Sequence, residues 1–195
     1  IRHFKPKKIV EIGSGFSSLV ALEAIKKNLN IDGFKSVLKC IEPYENQWLE
    51  KRGIDVIRKK IEDVELELTM ELNKDDILFV DTSHVIKPQG DLLKIFLEIF
   101  PKLKKGVIIH IHDIFTPKDY PPKWLKEENR FYNEQYLFEV LMDHSSRYNI
   151  ICSLNHLKND HYTKLKRVCP YLNENSEPSS ISVSYTHLRA HETVM

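Results

Sequence analysis

The run Lys8 to Ile12 (KIVEI) is β-branched and stops at Gly13-Ser14-Gly15. From Ser17 to Lys27, Leu19, Val20, Leu22, Ala24 and Ile25 then recur at a helical period. Strand, glycine turn and helix form the unit of a parallel sheet, and the chain repeats it. Ser36 to Ile41 ends at Glu42-Pro43, Asn46 to Lys51 reads as a helix, and Gly53 restarts a strand through Val56 and Ile57. After an acidic, Leu-rich connection from Glu62 to Leu72, the run DILFV (Asp76 to Val80) ends at Asp81. Leu92 to Leu103 is helical, GVIIHI (Gly106 to Ile111) ends at His112-Asp113, Asn133 to Met142 is helical, and Tyr148 to Leu154 reads as a sixth strand. Asn159 to Ser180 shows no period. The alternation predicts an α/β, doubly wound, mostly parallel sheet with right-handed crossovers and both faces covered. In such sheets ligands bind outside the carboxyl ends of the strands, and here the strands stop at polar residues.

Charge and cysteine content narrow the class of partner. The 195 residues carry 29 Lys and Arg against 28 Asp and Glu, a net charge of +1, with 42% hydrophobic residues. That composition suits one globular domain and gives no basic surplus for phosphate contacts, so a small molecule is expected rather than nucleic acid. Cys40, Cys152 and Cys169 are odd in number and two lie in strand-like runs, so they are read as free thiols in a reducing, cytoplasmic compartment. No apolar run is long enough to cross a bilayer. Ile1-Arg2-His3 lacks an initiator Met, so the domain is expected to be truncated at its N-terminus.

Three groups of residues carry chemistry. Glu11, Gly13, Ser14 and Gly15 precede a helix whose N-terminal N–H groups are free to face a ligand. A dinucleotide fingerprint would place a third glycine where Ser18 stands, and an acid two residues before the first glycine is instead the pattern of S-adenosylmethionine (SAM) sites. Glu42 ends the second strand, where a carboxylate can accept both hydroxyls of a ribose. Asp81 and His84 follow the fourth strand, and His112 and Asp113 end the fifth. Those strands should lie about 4.8 Å apart, so the four side chains should converge. His110, two residues before His112, reads as a core histidine.

The stretches FKPKKIVEIGSGFSSLVAL, DDILFVDTSHVIKPQGDL, KKGVIIHIHDIFTPKDYPPKW and NEQYLFEVL resemble bacterial class I SAM-dependent methyltransferases whose fourth strand ends Asp-Ser-Ser-His and whose fifth ends His-Asp. The resemblance covers about residues 4 to 155, with Thr82 where Ser is usual. It implies a Rossmann-like sheet of seven strands in the order 3-2-1-4-5-7-6 with strand 7 antiparallel, and SAM as cofactor. Glu11, Gly13, Gly15, Glu42 and Asp81 then fall on cofactor positions and His84, His112 and Asp113 on the acceptor face. The expected reaction moves a methyl group to an oxygen or nitrogen of a small-molecule or saccharide-type acceptor. Its base is His112 or His84, oriented by Asp113 or Asp81. A divalent metal is a less favoured addition, because the ligand set is not diagnostic. The alternatives are an NAD-dependent oxidoreductase and a non-catalytic methyltransferase-fold binding protein. The loop from Phe115 to Arg130, with its prolines and Trp124, is expected to close over the crevice.

The domain is expected over residues 1–182. Val183 to Met195 (VSYTHLRAHETVM) resembles an adaptor-derived peptide and is read as a non-native tail. Across that boundary the alternation of Ile181 and Val183 with Ser180, Ser182 and Ser184 still suits a strand over 180–185.

Overall fold

The computed structural model describes residues 1–67 and 71–186. The strands are β1 (Lys8–Ile12), β2 (Val37–Ile41), β3 (Asp55–Ile57), β4 (Ile77–Val80), β5 (Ile108–His112), β6 (Tyr148–Ser153) and β7 (Ser180–Tyr185). They form one sheet in the order β3-β2-β1-β4-β5-β7-β6. All neighbours are parallel except β7, which runs antiparallel to both β5 and β6. The expected fold class is therefore the one observed, and the strand order reverses direction beside β1 and β4.

Strand alternation divides the core. Val10, Ile12, Leu78, Val80, Ile109 and Ile111 face one side, packed by α2 (Asp91–Lys94) and the helical turns that continue it through Ile95–Ile99 and Phe100–Lys102. Ile9, Leu38, Cys40, Ile77 and Ile108 face the other, under α1 (Phe16–Asp32). Each buried Ile, Leu or Val contributes roughly 1.5–3 kcal/mol of apolar burial, and double-sided burial explains why these strands read as continuous apolar runs. On the α1 side, Cys40, Glu11, Phe79, His110 and Ser182 lie level across five strands. Two residues further along each parallel strand, roughly 6.6 Å closer to the carboxyl edge, the next level holds Glu42, Gly13, Asp81 and His112.

Two expectations are corrected. Asn46 to Lys51 is not a helix: Asn46 takes φ +56 and its amide bonds the Ser14 carbonyl at 2.7 Å, so only a short turn, Glu50–Arg52, forms. Asn159 to Ser180 is not structureless: α5 (Leu154–Asp160) and α6 (Tyr162–Val168) run through it. These helices escape an apolar period because side-chain bonds hold them. The fully buried Asn155 reaches Glu177 and the Pro178 carbonyl, and Lys166 bonds the carbonyls of Pro170 and Leu172. The sheet continues past residue 182, as the alternation over 180–185 suits. Val183 and Tyr185 are buried in β7, and the Tyr185 hydroxyl donates to the Pro101 carbonyl at 3.1 Å. The strand expected over 180–185 is present, and 187–195 lie outside the described residues.

Candidate active site

A crevice of about 750 Å³ opens at the carboxyl ends of β1, β2 and β4. Its floor is the glycine turn. Gly13 has φ +78, and a Cβ there would lie 1.6 Å from the Asp81 carbonyl oxygen, so no side chain fits. Gly15 is different: its Cβ would meet only the Asn46 amide, at 3.4 Å, so its missing side chain leaves open space. Ser18, standing where a dinucleotide loop has its third glycine, is fully buried and its Oγ accepts the Gly15 N–H at 3.1 Å. That bond uses the amide a pyrophosphate would need.

Glu42 lies on the crevice wall. Its Oε1 accepts the N–H groups of Tyr44 (3.0 Å) and Glu45 (2.9 Å), and its Oε2 accepts that of Ser14 at 3.3 Å. A carboxylate offers about four lone-pair directions, so three are engaged and Oε2 keeps room for a ligand hydroxyl. The hydroxyls of Ser14 and Thr82, both in the crevice lining, are buried and find no hydrogen-bond partner among the described residues. Glu11 does not reach the crevice. It sits one level lower, beneath α1, where it accepts from the Ser17 hydroxyl at 2.5 Å and faces Cys40 at 3.4 Å; burial pushes its carboxyl above the usual range. There it supports the first turn of α1.

Asp81 bridges the crevice and a second group of side chains. Its Oδ1 lies 3.2 Å from His84 Nε2 and 3.5 Å from His112 Nδ1. His112 Nδ1 also lies 3.1 Å from Asp113 Oδ1, and Asp113 accepts from the Ser179 hydroxyl at 2.8 Å. The four expected residues therefore do converge. They differ in access: the His112 side chain is 41% exposed and lines the crevice, whereas that of His84 is 8% exposed. His84 and Asp113 both hold positive φ, +60 and +55, a strained conformation for non-glycine residues that concentrates at functional sites.

Glu134, at the start of α4 (Glu134–Asp143), escaped the sequence reading. It is fully buried, and its Oε2 lies 2.9 Å from His84 Nδ1. An acid in a first helical turn ordinarily complements the helix dipole at the surface, and nothing in the sequence distinguishes an inward-facing one. Burial alone would lower the His84 pKa, but its bonds to Asp81 and Glu134 and the charge of Asp113 outweigh that and push it up to about 10. Proximity to Asp113 raises His112, against burial. Burial works to raise Asp113, but His112 and Ser179 hold it below the usual carboxylate range.

Asp81, His84 and His112 bring one donor atom each within 4.8 Å of one another. Both nitrogens of His84 are already engaged by carboxylates, so this trio leaves two donors, fewer than a divalent ion takes from a dedicated protein site. Beside the cluster, an aromatic group packs the segment between β5 and α4, which includes the short α3 (Pro122–Lys126). Trp124 meets Phe115 (5.1 Å between centroids) and Tyr132 (5.4 Å), Arg130 lies over Trp124, and Tyr132 packs on His84 at 4.6 Å.

A seven-stranded sheet with one antiparallel strand, a glycine turn wedged against β4 and an acid ending β2 defines a methyltransferase-type α/β domain. Residues 10–114 match the family model described as a methyltransferase domain, and the chain belongs to that family. An uncharacterized protein of Archaeoglobus fulgidus is 41% identical over 71 residues, which is 34% of this chain and 31% of that protein. The plantazolicin methyltransferase BpumL, solved with a triazolic desmethylPZN analog and SAH (the demethylated product of SAM), is 15% identical over 94% of this chain and 78% of its own, at a TM-score of 0.52. MycE from the mycinamycin biosynthetic pathway, solved with Mg, SAH and mycinamycin VI, is 17% identical at a TM-score of 0.54. This chain is covered in full there but spans only 50% of MycE. At these identities the two solved structures establish the shared fold.

Proposed function

We propose that the protein transfers the methyl group of SAM to an oxygen or nitrogen of a small-molecule or saccharide-type acceptor. The observation that carries this reading is the crevice itself. Gly13 can carry no side chain, Glu42 keeps a free lone-pair direction, and two buried hydroxyls, of Ser14 and Thr82, find no partner among the described residues, so a ligand could supply one. Those residues fit SAM, which supplies an electrophilic methyl on a sulfonium. The solved relatives that carry SAH with a natural-product ligand or its analog support the same cofactor and a small acceptor.

Gly13, Ser14 and Gly15 would hold the cofactor from the floor, Glu42 would accept a ribose hydroxyl, and Asp81 would bound the methionine side. His112 would accept the acceptor's proton; what supports it over His84 is that it lines the crevice while His84 is enclosed by carboxylates. Asp113, whose Oδ1 lies 3.1 Å from His112 Nδ1, would orient the ring. In-line displacement depends chiefly on alignment, so the residues that hold the two reactants matter as much as the base. Isothermal titration with SAM and SAH tests the cofactor assignment. Incubating small-molecule extracts with methyl-labelled SAM, followed by mass spectrometry, identifies the acceptor. Tight NAD binding without SAM or SAH binding would overturn the reading.

A further inference from the structure

We propose that Glu134 is a positioning residue: through His84 it fixes the orientation of Asp81 at the crevice wall, a role that rests on reading that crevice as the SAM site. The chain of contacts is continuous. Glu134 Oε2 lies 2.9 Å from His84 Nδ1, and His84 Nε2 lies 3.2 Å from Asp81 Oδ1, the carboxylate that faces the crevice. The backbone follows the same path. The Asn133 N–H donates to the His84 carbonyl at 3.0 Å, and the Asn133 side chain accepts the Ile86 N–H at 2.6 Å. Asn133, which caps α4, and Glu134, its first residue, thereby clamp the turn that leaves β4.

Packing alone does not call for an acid here. A fully buried carboxylate is costly unless it is paired, and a leucine would fill a similar volume without that cost. What Glu134 adds is direction, because its bond at Nδ1 turns the opposite nitrogen of His84 towards Asp81. The charged and titratable groups facing His84 are Asp81 after β4, His112 and Asp113 at the end of β5, Tyr132 in the segment before α4, and Glu134 itself. Three of these are carboxylates, which keeps His84 doubly protonated near neutral pH.

The test uses the whole chain with ¹⁵N-labelled histidine and SAH as the probe. In the wild type at pH 7, both ring nitrogens of His84, assigned with His84→Gln, should appear protonated. Glu134→Leu should fold, lose that signature and bind SAH about tenfold more weakly, the effect of one lost charge-assisted bond. Glu134→Gln, whose amide oxygen still accepts from Nδ1, should recover to within about threefold of wild type. A folded Glu134→Leu with wild-type SAH affinity overturns the proposal and leaves the crevice reading intact. A wild type that binds no SAH overturns the crevice reading, and the positioning role with it. Should Glu134→Leu fail to fold, the wild-type spectrum decides: a bare Nδ1 on His84 overturns the proposal.

Discussion

His110 and His112 stand two residues apart on the same face of β5. His110 lies one level down, in an apolar cavity of about 430 Å³ under α1, stacked on Phe79 at 4.8 Å and bonded to the Ser182 hydroxyl at 2.8 Å. Burial, with help from nearby His112, pushes it down to about 4, so it is neutral and inert near pH 7. His112 lines the crevice, and Asp113 beside it raises its pKa. One step of the pleat, roughly 6.6 Å, separates a histidine bonded inside the sheet from one that lines the crevice. At the lower level the polar groups bond to one another inside the protein, Glu11 to Ser17 and His110 to Ser182. At the upper level the strands have ended, and backbone and side chains remain available to a ligand. Glu11 and Asp81 repeat the contrast on β1 and after β4.

The largest effect should come from closing the upper level. Gly13→Ala places a methyl against the Asp81 carbonyl and should destabilise the protein by more than about 3 kcal/mol with loss of SAH binding. Gly15→Ala should cost less than about 1 kcal/mol, and the difference is measurable by urea denaturation. Comparable stabilities would mean that the turn is not wedged as described. His112→Ala should lower methyl transfer to the identified acceptor by about a hundredfold or more while leaving SAH affinity within about twofold. His110→Phe should alter neither. In the wild type, transfer should rise with pH through a value above the ordinary imidazole range, because His112 must lose its proton first. A flat profile would remove His112 as the base.

Glu42→Ala should weaken SAH by about tenfold, read by isothermal titration, since one ribose hydroxyl loses a charged acceptor. The smallest effects are linkages of opposite sign. His110, depressed in the fold, contributes stability that is present above pH 6.5 and is lost as pH falls from 6.5 through about 4. His84, raised in the fold, contributes stability that is complete below pH 6.5 and is lost as pH climbs through about 10. Each is on the order of 1–2 kcal/mol after allowance for residual hydration and coupling. His110→Phe should therefore flatten the acid side of a stability curve and His84→Gln the alkaline side. The reverse assignment would break the contrast between the two levels.

The sequence by itself determined the sheet. Strand runs such as KIVEI and GVIIHI, punctuated by glycine and acids, dictate parallel pairing and crossovers, because local periodicity and turn chemistry act within a few residues. It also determined the convergence of Asp81, His84, His112 and Asp113, which needs only that adjacent strands end together. Only the tertiary structure decided depth and direction. Glu11 turned inward because α1 covers its level of the sheet, and His84 is enclosed because Glu134 arrives from fifty residues away. Helices α5 and α6 escaped because side-chain bonds of Asn155 and Lys166 hold them rather than an apolar stripe. Pattern encodes which face a residue takes. What covers that face is set by elements distant in sequence, through packing that no local window contains.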